Sequence, residues 1–275
     1  MKLMILDGNS IINRAFYGVR LLSTKDGVYT NAIYGFLNIL ERLRADEQPD
    51  ALCVAFDLKA PTFRHLAYDG YKATRHPMPE ELAMQMPLMK EVLGAMNIPI
   101  YECEGWEADD ILGTAGEICA REGEDCVIVT GDRDSLQLVT DRVTVKLVTS
   151  KSGQTITTNY TPDVFRAEYG FDPVRLVDLK SLMGDSSDNI PGVAGIGPKT
   201  ATGLLLEYGT LDGIYEHLPE IKVSVRKKLE KDREQAYLSY DLATIRKNAP
   251  VDFIPERNLV REVDNDALYA LFHRL

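Results

Sequence analysis

The chain of 275 residues carries a formal net charge of −11, with 45% hydrophobic and 27% charged residues. Chains of this size and composition bury a full core, so we expect one large globular domain or a domain with a small appendage. No apolar run reaches the roughly 20 residues that span a bilayer, and residues 2–7 are too short and end too acidic for a signal peptide. The composition therefore predicts no membrane partner.

The negative net charge by itself argues against a nucleic-acid partner. That argument fails where acidic residues hold divalent cations, because bound cations reverse the local field. The distribution of the acids therefore matters more than their sum. The cysteines show no CxxC spacing, which predicts reduced structural thiols in a cytosolic protein. They are Cys53, Cys103, Cys119 and Cys126.

Apolar runs predict three buried strands, over residues 2–6, 51–56 and 126–130. Acidic residues follow each run, namely Asp7, Asp57, Asp132 and Asp134. A shorter strand is expected near 98–101, and helical spacing of apolar residues covers 31–45, 80–97 and 106–121. Strands that alternate with helices predict an α/β fold with a mainly parallel sheet and helices on both faces. Because ligand sites form beyond the carboxyl ends of such strands, the acids are expected to converge there.

The remaining elements are predicted from caps, turns and periodicity. We expect Asn9 or Ser10 to cap the first helix, and a hairpin of residues 143–147 and 154–158 around Lys151-Ser152-Gly153. After Tyr160 the pattern changes to short helices and glycine turns. Helices are predicted over 174–183 and 221–247, with a linker and a short helix at the end of the chain.

The segment Glu107-Ala108-Asp109-Asp110 places three carboxylates within four residues. If Trp106 opens a helix, Glu107 and Asp110 lie on one face near its N-terminus. Acidic residues in a first helical turn are ordinary, since the positive end of the helix dipole favours them. The recurrence of aspartates at the other strand ends favours a metal site instead.

Many carboxylates without partnering cysteines or histidines select magnesium or manganese rather than zinc. Two such ions about 4 Å apart can clamp a phosphodiester and activate water. No plausible Ser/His/Asp set is present, and the histidines are expected to be ordinary surface residues. They are His65, His76, His217 and His273.

Two further segments indicate contacts with nucleic acid. Residues 58–79 are rich in basic and aromatic side chains, which suit single-stranded nucleic acid through phosphate pairing and stacking. A solvated loop is the alternative. The glycine-rich segment Gly192–Lys199 is either a tight turn or a phosphate-binding hairpin that opens a helix. Its carbonyls are also suited to a monovalent cation.

These motifs together resemble the flap endonuclease family, and most closely the 5′-nuclease domains of the bacterial DNA polymerase I type. The resemblance runs from Met1 to about Pro250. It includes Asp7-Gly-Asn, Phe56-Asp57, Phe63-Arg64-His65, Tyr71-Lys72-Ala73-Thr74-Arg75, Glu107-Ala-Asp-Asp, Thr130-Gly-Asp-Arg-Asp and Gly184-Asp-Ser-Ser-Asp-Asn-Ile-Pro.

The resemblance implies a PIN-like nuclease core over 1–160, with a helical arch at about 59–90. It implies a helix–three-turn–helix subdomain for duplex DNA over 161–250 and a tail over 251–275. A potassium ion is expected at the Gly192–Gly197 hairpin, beside two or more Mg²⁺ or Mn²⁺ ions in the core. The implied partner is DNA with a 5′ flap, nick or single-strand/duplex junction.

The resemblance also implies roles for individual residues. A first ion would be held by Asp7, Asp57, Glu107 and Asp109. A second ion would share Asp109 and lie near Asp132, Asp134 and Asp188. Asp110 and Asp185 would act through water or orient ligands. Arg64 and Lys72 would steer the scissile phosphate, Arg64 as an electrophile or as a clamp. The implied DNA-binding residues are Arg64, Tyr71, Lys72, Arg75, Gly192, Gly195, Gly197, Lys199 and Thr200.

The implied function is a magnesium-dependent 5′-3′ exonuclease and flap endonuclease in a monomer, in replication and repair, in the cytoplasm of a bacterium and near its nucleoid. Residues 251–275 resemble the start of a tether, which favours a polymerase domain that follows in the same chain over a stand-alone nuclease. A non-catalytic DNA-binding scaffold and a phosphatase that forms an aspartyl-phosphate are the alternatives from other classes. The phosphatase would need a second aspartate two residues after Asp7, where this chain has Asn9.

Overall fold

The computed structural model describes residues 1–151 and 154–274, so the predicted turn at Ser152-Gly153 lies outside the described residues. The strands are β1 (Lys2–Asp7), β2 (Ala51–Ala55), β3 (Ile100–Tyr101), β4 (Asp125–Thr130), β5 (Val143–Lys151) and β6 (Gln154–Tyr160). They form one sheet in the order β3-β2-β1-β4-β5-β6. All neighbours pair in parallel except β5 and β6, which are antiparallel. The predicted α/β fold with a mainly parallel sheet is confirmed.

Helices cover both faces of this sheet and form the C-terminal part of the chain. They are α1 (Gly8–Gly18), α2 (Asn31–Glu47), α3 (Phe63–Ala67), α4 (Glu80–Ala83), α5 (Gln85–Ala95), α6 (Ala108–Arg121), α7 (Pro162–Tyr169), α8 (Leu176–Met183), α9 (Pro198–Tyr208), α10 (Leu211–Glu216), α11 (Val223–Lys231), α12 (Arg233–Ala243) and α13 (Asn265–Arg274). Short 3₁₀ helices lie at Arg133–Leu138, Pro173–Arg175, Leu218–Glu220 and Pro255–Asn258. No helix of the described residues is long and apolar enough to cross a membrane.

Alternation along the central strand assigns the helices to the two faces. Leu3 and Ile5 face a cluster that includes α6 and continues into α8 and α9. Met4 and Leu6 face the opposite cluster, which includes α1, α2 and α5. Because successive residues of a strand point to opposite faces, β1 is buried on both sides and reads as an unbroken apolar run.

Three local predictions differ from the structure. Asp7, not Asn9 or Ser10, caps α1, since its side chain accepts a hydrogen bond from the Ser10 N–H. The predicted helix over 80–97 is divided into α4 and α5, because Pro87 in the first turn of α5 has no N–H to donate back to Ala83. The acidic helix α6 begins at Ala108, two residues later than predicted.

The C-terminal residues pack back against the core rather than extending from it. The Val260 N–H donates to the Asp50 carbonyl at 2.9 Å, and the Asp264 N–H donates to the Ala95 carbonyl at 3.0 Å. Leu271 of α13 is buried in the cluster that contains α5. Residues 251–274 therefore form an ordered strap across β2, β3 and α5.

Candidate active site

The carboxyl ends of the adjacent parallel strands β2, β1 and β4 bring the predicted acids together. Asp7 is 6% exposed at the end of β1. Its two carboxylate oxygens accept from the Ser10 N–H at 2.9 Å and from the Thr130 Oγ1 hydroxyl at 2.8 Å. Asp57, just beyond β2, accepts from the Ala108 N–H at 2.7 Å, so it is placed against the N-terminus of α6. Sheet topology thus links the first residues of the chain to the acidic helix.

A pocket of about 640 Å³ opens at this edge of the sheet. Its lining includes five carboxylates, namely Asp7, Asp57, Glu107, Asp109 and Asp132. Two cations, Lys72 and Arg75, line the same pocket. We call this site the acidic pocket. It brings several carboxylates and two cations into one pocket, which suits a metal ion and a phosphate together.

The electrostatics of the acidic pocket favour a bound cation. Burial, together with repulsion from Asp57 and Asp132, raises the pKa of Asp7 to about 7. Burial and repulsion from Asp7 and Asp132 raise the pKa of Asp109 well above its ordinary range. Mutual repulsion of this kind destabilises the ionised forms, and a divalent cation relieves it.

The donor set fits a hard divalent ion. Among residues 1–151 and 154–274, no three acidic, histidine or cysteine side chains already converge closely enough to enclose an ion by themselves. Magnesium requires no such cage, because it keeps several waters and is usually bound through one or two carboxylates. The mutually repelling carboxylates of Asp7, Asp109 and Asp132 therefore fit a hard divalent ion.

Asp110 does not face the acidic pocket. It is 0% exposed, and its carboxylate accepts from the N–H groups of Glu107 and Arg246 and from two nitrogens of Arg64. These four bonds occupy both oxygens, since a carboxylate offers about four acceptor sites. Glu107 and Asp110 form a reciprocal capping box at the start of α6. Asp110 therefore holds the helix and has no free lone pair for a metal ion.

Arg64 is also placed away from the position that the resemblance implies. It is 2% exposed, and its guanidinium donates to Glu107, Asp110 and the carbonyls of Leu242 and Thr244. A guanidinium has five N–H donors, and these contacts use all of them. Arg64 consequently joins α3, α6 and α12 within the protein, and we remove it from the residues that steer a phosphate.

Glu107 lies where the arch meets the acidic pocket. Its carboxylate accepts from Lys72 Nζ at 2.7 Å, from Arg64 at 3.0 Å and from the Tyr71 hydroxyl at 3.0 Å. Tyr71 is only 3% exposed. The predicted DNA-binding role of Tyr71 by stacking therefore lacks an accessible ring, and its hydroxyl instead orients Glu107 and Asp188.

The arch contacts the loop after α8 through its backbone. Lys72 has a left-handed φ of 55°, uncommon for a residue with a side chain, and its N–H donates to the Asp188 carbonyl at 2.8 Å. Arg75 pairs with the Asp188 carboxylate at 2.5 Å. The turn in the arch and Asp188 are thus fixed to each other, and Lys72 Nζ is directed at the acidic pocket.

Asp134 and Asp185 share a cation that sequence reasoning missed. Both carboxylates accept from the ammonium of Lys180, in the last turn of α8. Burial raises the pKa of Asp134 to about 7 despite this contact. Burial also acts on Asp185, but bonds from Lys180 and Ser187 outweigh it and lower the pKa to about 2. Neither aspartate lines the acidic pocket.

The three glycines of the Gly192–Lys199 segment differ in how strictly the surrounding structure requires glycine. Gly192 has φ of 62°, and a Cβ there would lie 2.2 Å from the backbone nitrogen of Gly184. A Cβ on Gly195 would approach the Lys228 ammonium at 2.9 Å, whereas one on Gly197 would meet nothing within 4 Å. Close packing within the protein, rather than approach to a phosphate, therefore requires glycine at position 192.

Lys199 and Thr200 lie exposed in the first turn of α9, which opens with Gly197 as its N-cap and Pro198 at its start. The first N–H groups of a helix have no partner within the helix, and the dipole favours an anion there. This helix start retains the geometry that was predicted for a phosphate of the DNA backbone.

Three residues in or beside the acidic pocket were not predicted as site residues from the sequence. His76, predicted to be an ordinary surface residue, lines the pocket. Asn9 is uncharged, and its side-chain oxygen accepts a hydrogen bond from the Asp57 N–H at 2.9 Å, which connects the ends of β1 and β2. The Ser135 hydroxyl donates to Asp109 at 3.4 Å. The nearness of Asn9 to Asp7, and of His76 to Arg75, was the available signal for two of them.

Comparison with known families covers nearly all of the chain. A model described as 5′-3′ exonuclease, N-terminal resolvase-like domain, matches residues 2–170. A second, described as 5′-3′ exonuclease, C-terminal SAM fold, matches residues 171–266. Among solved structures, a T5 5′-exonuclease with bound zinc aligns with a TM-score of 0.72 at 21% identity, over 100% of this chain and 98% of that one. The catalytic core of Rad2 in complex with DNA substrate aligns at 0.64 and 17% identity, over 99% and 87%. These two show the same fold.

The similar curated proteins are DNA polymerases. DNA polymerase I of Caldicellulosiruptor bescii is 45% identical over 100% of this chain and 32% of its own length. DNA polymerase I of Bacillus caldotenax is 44% identical over 100% of this chain and 31% of its own length. The chain spans about a third of the length of these relatives. With both family models matched in order along one chain, the chain belongs to the 5′-3′ exonuclease family.

Proposed function

We propose that this domain hydrolyses phosphodiester bonds of DNA at a 5′ flap, nick or single-strand/duplex junction, with two or more Mg²⁺ or Mn²⁺ ions. The observation that carries the proposal is the acidic pocket, where five carboxylates from the ends of three parallel strands and the start of α6 lie together with Lys72 and Arg75. Such a site accommodates divalent ions and an anionic substrate together. All four acids that the resemblance implies for the first ion line this pocket, whereas a non-catalytic scaffold would have no need of them.

Bound divalent ions would lower the pKa of an attacking water and neutralise charge on the attacking and leaving oxygens. The residues that would hold them are Asp7, Asp57, Glu107, Asp109 and Asp132. Asp109 would be a ligand of both ions. Asp188 orients the arch through Arg75 and Tyr71. In this proposal the cleavage leaves a 5′-phosphate and a 3′-hydroxyl.

Lys72 is the side chain of the arch best placed to act on the substrate. Its Nζ lies 2.7 Å from Glu107 within the acidic pocket, and its side chain is 18% exposed. A charged donor that is fixed in a partly dry site stabilises developing negative charge strongly, because little reorganisation is needed. We assign Lys72 the role of directing the scissile phosphate, supported by Arg75.

For duplex DNA, we propose that the start of α9 holds the phosphate backbone through Lys199, Thr200 and their N–H groups. This contact fixes register without reading bases. The potassium ion predicted at the hairpin has a competitor, since the Gly195 carbonyl accepts from Lys228 Nζ at 2.9 Å and the Gly192 carbonyl accepts from Gln235. These carbonyls do not fit a potassium ion while Lys228 stays in place.

The partner assignments are part of this proposal. The chain matches about a third of the length of its DNA polymerase I relatives. This supports a polymerase domain in the same protein. A monomer acting in the cytoplasm of a bacterium, close to the nucleoid, is the corresponding expectation. The chemistry of the acidic pocket needs no second copy of the chain, because its carboxylates and cations come from one chain.

The test is cleavage of a labelled 5′-flap duplex. Wild-type protein with Mg²⁺ should release the flap, whereas EDTA or the Asp109→Asn variant should reduce the rate by at least 100-fold. Asp163→Asn, at an aspartate that is 95% exposed on α7, is the matched control and should cleave like wild type. Equal activity with Mg²⁺, with EDTA and in Asp109→Asn would refute the proposal.

The aspartyl-phosphate phosphatase remains the rival from another class. It would hydrolyse a small phosphate monoester such as p-nitrophenyl phosphate, and Asp7→Asn would abolish that activity. The residue two positions later is Asn9, whose side chain accepts from the Asp57 N–H and is not an acid. We therefore expect no turnover of the monoester under conditions where the flap is cleaved.

A further inference from the structure

A charged group lies beyond the acidic pocket at the end of α8, formed by Lys180 with Asp134 and Asp185. Lys180 Nζ donates to one oxygen of each aspartate. All three side chains are shielded from water, with exposed fractions of 13% for Lys180, 16% for Asp134 and 14% for Asp185. The group is compact and carries a net charge of −1 when all three members are ionised.

The members of this group come from both halves of the chain. Asp134 belongs to the 3₁₀ helix Arg133–Leu138, which follows β4, and its N–H donates to Asp132 of the acidic pocket at 2.9 Å. Lys180 and Asp185 belong to α8 and the loop after it. The group is therefore adjacent to the acidic pocket through one backbone hydrogen bond.

Both oxygens of Asp185 accept hydrogen bonds within the protein. One of its oxygens accepts from Lys180, and the other accepts from the N–H of Ser187 at 2.7 Å and from its hydroxyl at 2.6 Å. An ion that approached the oxygen of Asp134 or Asp185 that Lys180 contacts would meet the ammonium there. Two cations cannot share these oxygens without strong repulsion at contact distance.

We propose that Lys180 is a built-in counter-cation that weakens the binding of the second divalent ion in the absence of DNA. The inference rests on the proposed function, because a second ion held by Asp109 and Asp132 would lie next to this group, which is bonded to Asp132 through the Asp134 N–H. An added substrate phosphate supplies the negative charge that Lys180 cancels. The second ion is accordingly taken up together with DNA, while the ion at Asp7, Asp57 and Glu107 binds independently. Lys180 thus acts as a positioning residue for the two divalent ions and does not contact the substrate itself.

The test is a titration of DNA-free protein with Mn²⁺, with free Mn²⁺ followed by electron paramagnetic resonance. Wild type should show a tight site and a weak site. Lys180→Met retains most of the side-chain volume without the charge, and it should tighten the weak site by at least tenfold and leave the tight site unchanged. Lys180→Arg retains the charge and should resemble wild type. Lys227→Met, at an exposed lysine of α11, is the matched control and should change neither affinity.

The outcomes separate this inference from a merely structural role. If Lys180→Met leaves both affinities unchanged, or weakens the second site, the inference is overturned and Lys180 is only a tie between the two halves. Thermal melting checks the fold, and Lys180→Gln, which still donates a hydrogen bond, repeats the titration if Lys180→Met does not fold. Flap cleavage by wild type is measured separately. If the proposed function is wrong, wild type will be inactive or insensitive to EDTA in that assay.

Discussion

Arg64 and Lys72 both contact Glu107, yet their surroundings give them different tasks. The Arg64 side chain is 3% exposed and uses its donors on four groups of the protein, whereas the Lys72 side chain is 18% exposed and borders the acidic pocket. Burial with complete hydrogen bonding makes a charge structural, while a partly open charge at a pocket can meet a substrate. Two basic residues of adjacent sequence motifs thus have different roles because their environments differ.

Arg64→Ala should destabilise the protein by about 3–5 kcal/mol, since it leaves the buried Asp110 without its main counter-charge. Urea unfolding followed by circular dichroism measures the loss. Arg42→Ala, which removes an exposed pair with Asp46, is the control and should cost less than about 1 kcal/mol. Wild-type stability with a selective loss of turnover would show that Arg64 acts on the substrate after all.

Lys72→Ala should lower kcat for flap cleavage by about 100-fold to 1,000-fold, the usual effect of removing one charged or polar donor at a developing anion. The affinity for duplex DNA should change little, because the start of α9 supplies that contact. Single-turnover cleavage and a fluorescence-anisotropy binding curve separate the two quantities. Lys199→Ala is the complementary variant, expected to weaken binding with a smaller effect on kcat. A Lys72 variant that loses affinity alone would reassign this residue to simple binding.

At the scale of elements, the strand ends were predictable and the ion pairs among them were not. Asp7, Asp57 and Asp132 follow apolar runs directly, and parallel pairing places such residues at one edge. By contrast, Asp134 meets Lys180, which is 46 residues away in sequence. Only the packing of α8 against the core creates that contact, and periodicity carries no information on it. The partners of Arg64 are likewise distant in sequence, so its burial could not be predicted and it was expected to face the substrate.

Glu47, at the end of α2, tests how one element is fastened to the sheet. Burial raises the pKa of Glu47, but ion pairs with Lys146 and Lys2 outweigh it and lower the pKa overall. A lowered pKa stabilises the fold above the unfolded value of about 4.3, and this contribution is lost as the pH falls through the folded value. Glu47→Gln should therefore cost about 1.5–3 kcal/mol at pH 7 and progressively less below pH 4.

Urea unfolding of wild type and Glu47→Gln at several pH values measures this difference. Glu41→Gln is the matched control, because Glu41 lies on the same helix in an exposed pair with Arg44. Its difference from wild type should be small at every pH. A constant difference between wild type and Glu47→Gln from pH 7 to pH 3 would contradict the assignment.

At the scale of the whole molecule, one hydrophobic cluster joins the two matched family regions. Leu3 and Ile5 of β1 belong to the same buried cluster as Leu182 of α8 and Leu204 of α9. The sequence predicted a change of texture after Tyr160, which indicates two subdomains but not whether they share a core. Periodicity shows that an apolar side chain is buried but not which residues it packs against. This link between the two regions therefore needed the three-dimensional structure.

Leu182→Ala should consequently destabilise both regions together, by about 2–5 kcal/mol. Leu182 is 0% exposed, and its carbonyl accepts from the Val193 N–H at 2.8 Å. Trp106, the one tryptophan of the sequence, lies in the N-terminal region and packs on the same cluster, so its fluorescence reports the core. Because a shared core unfolds cooperatively, the urea midpoint followed by Trp106 should shift as much as the midpoint followed by circular dichroism. Leu206→Ala, at a leucine that is 57% exposed on α9, should shift neither. A Trp106 transition that stays in place while circular dichroism detects an earlier step would show that the two regions fold independently.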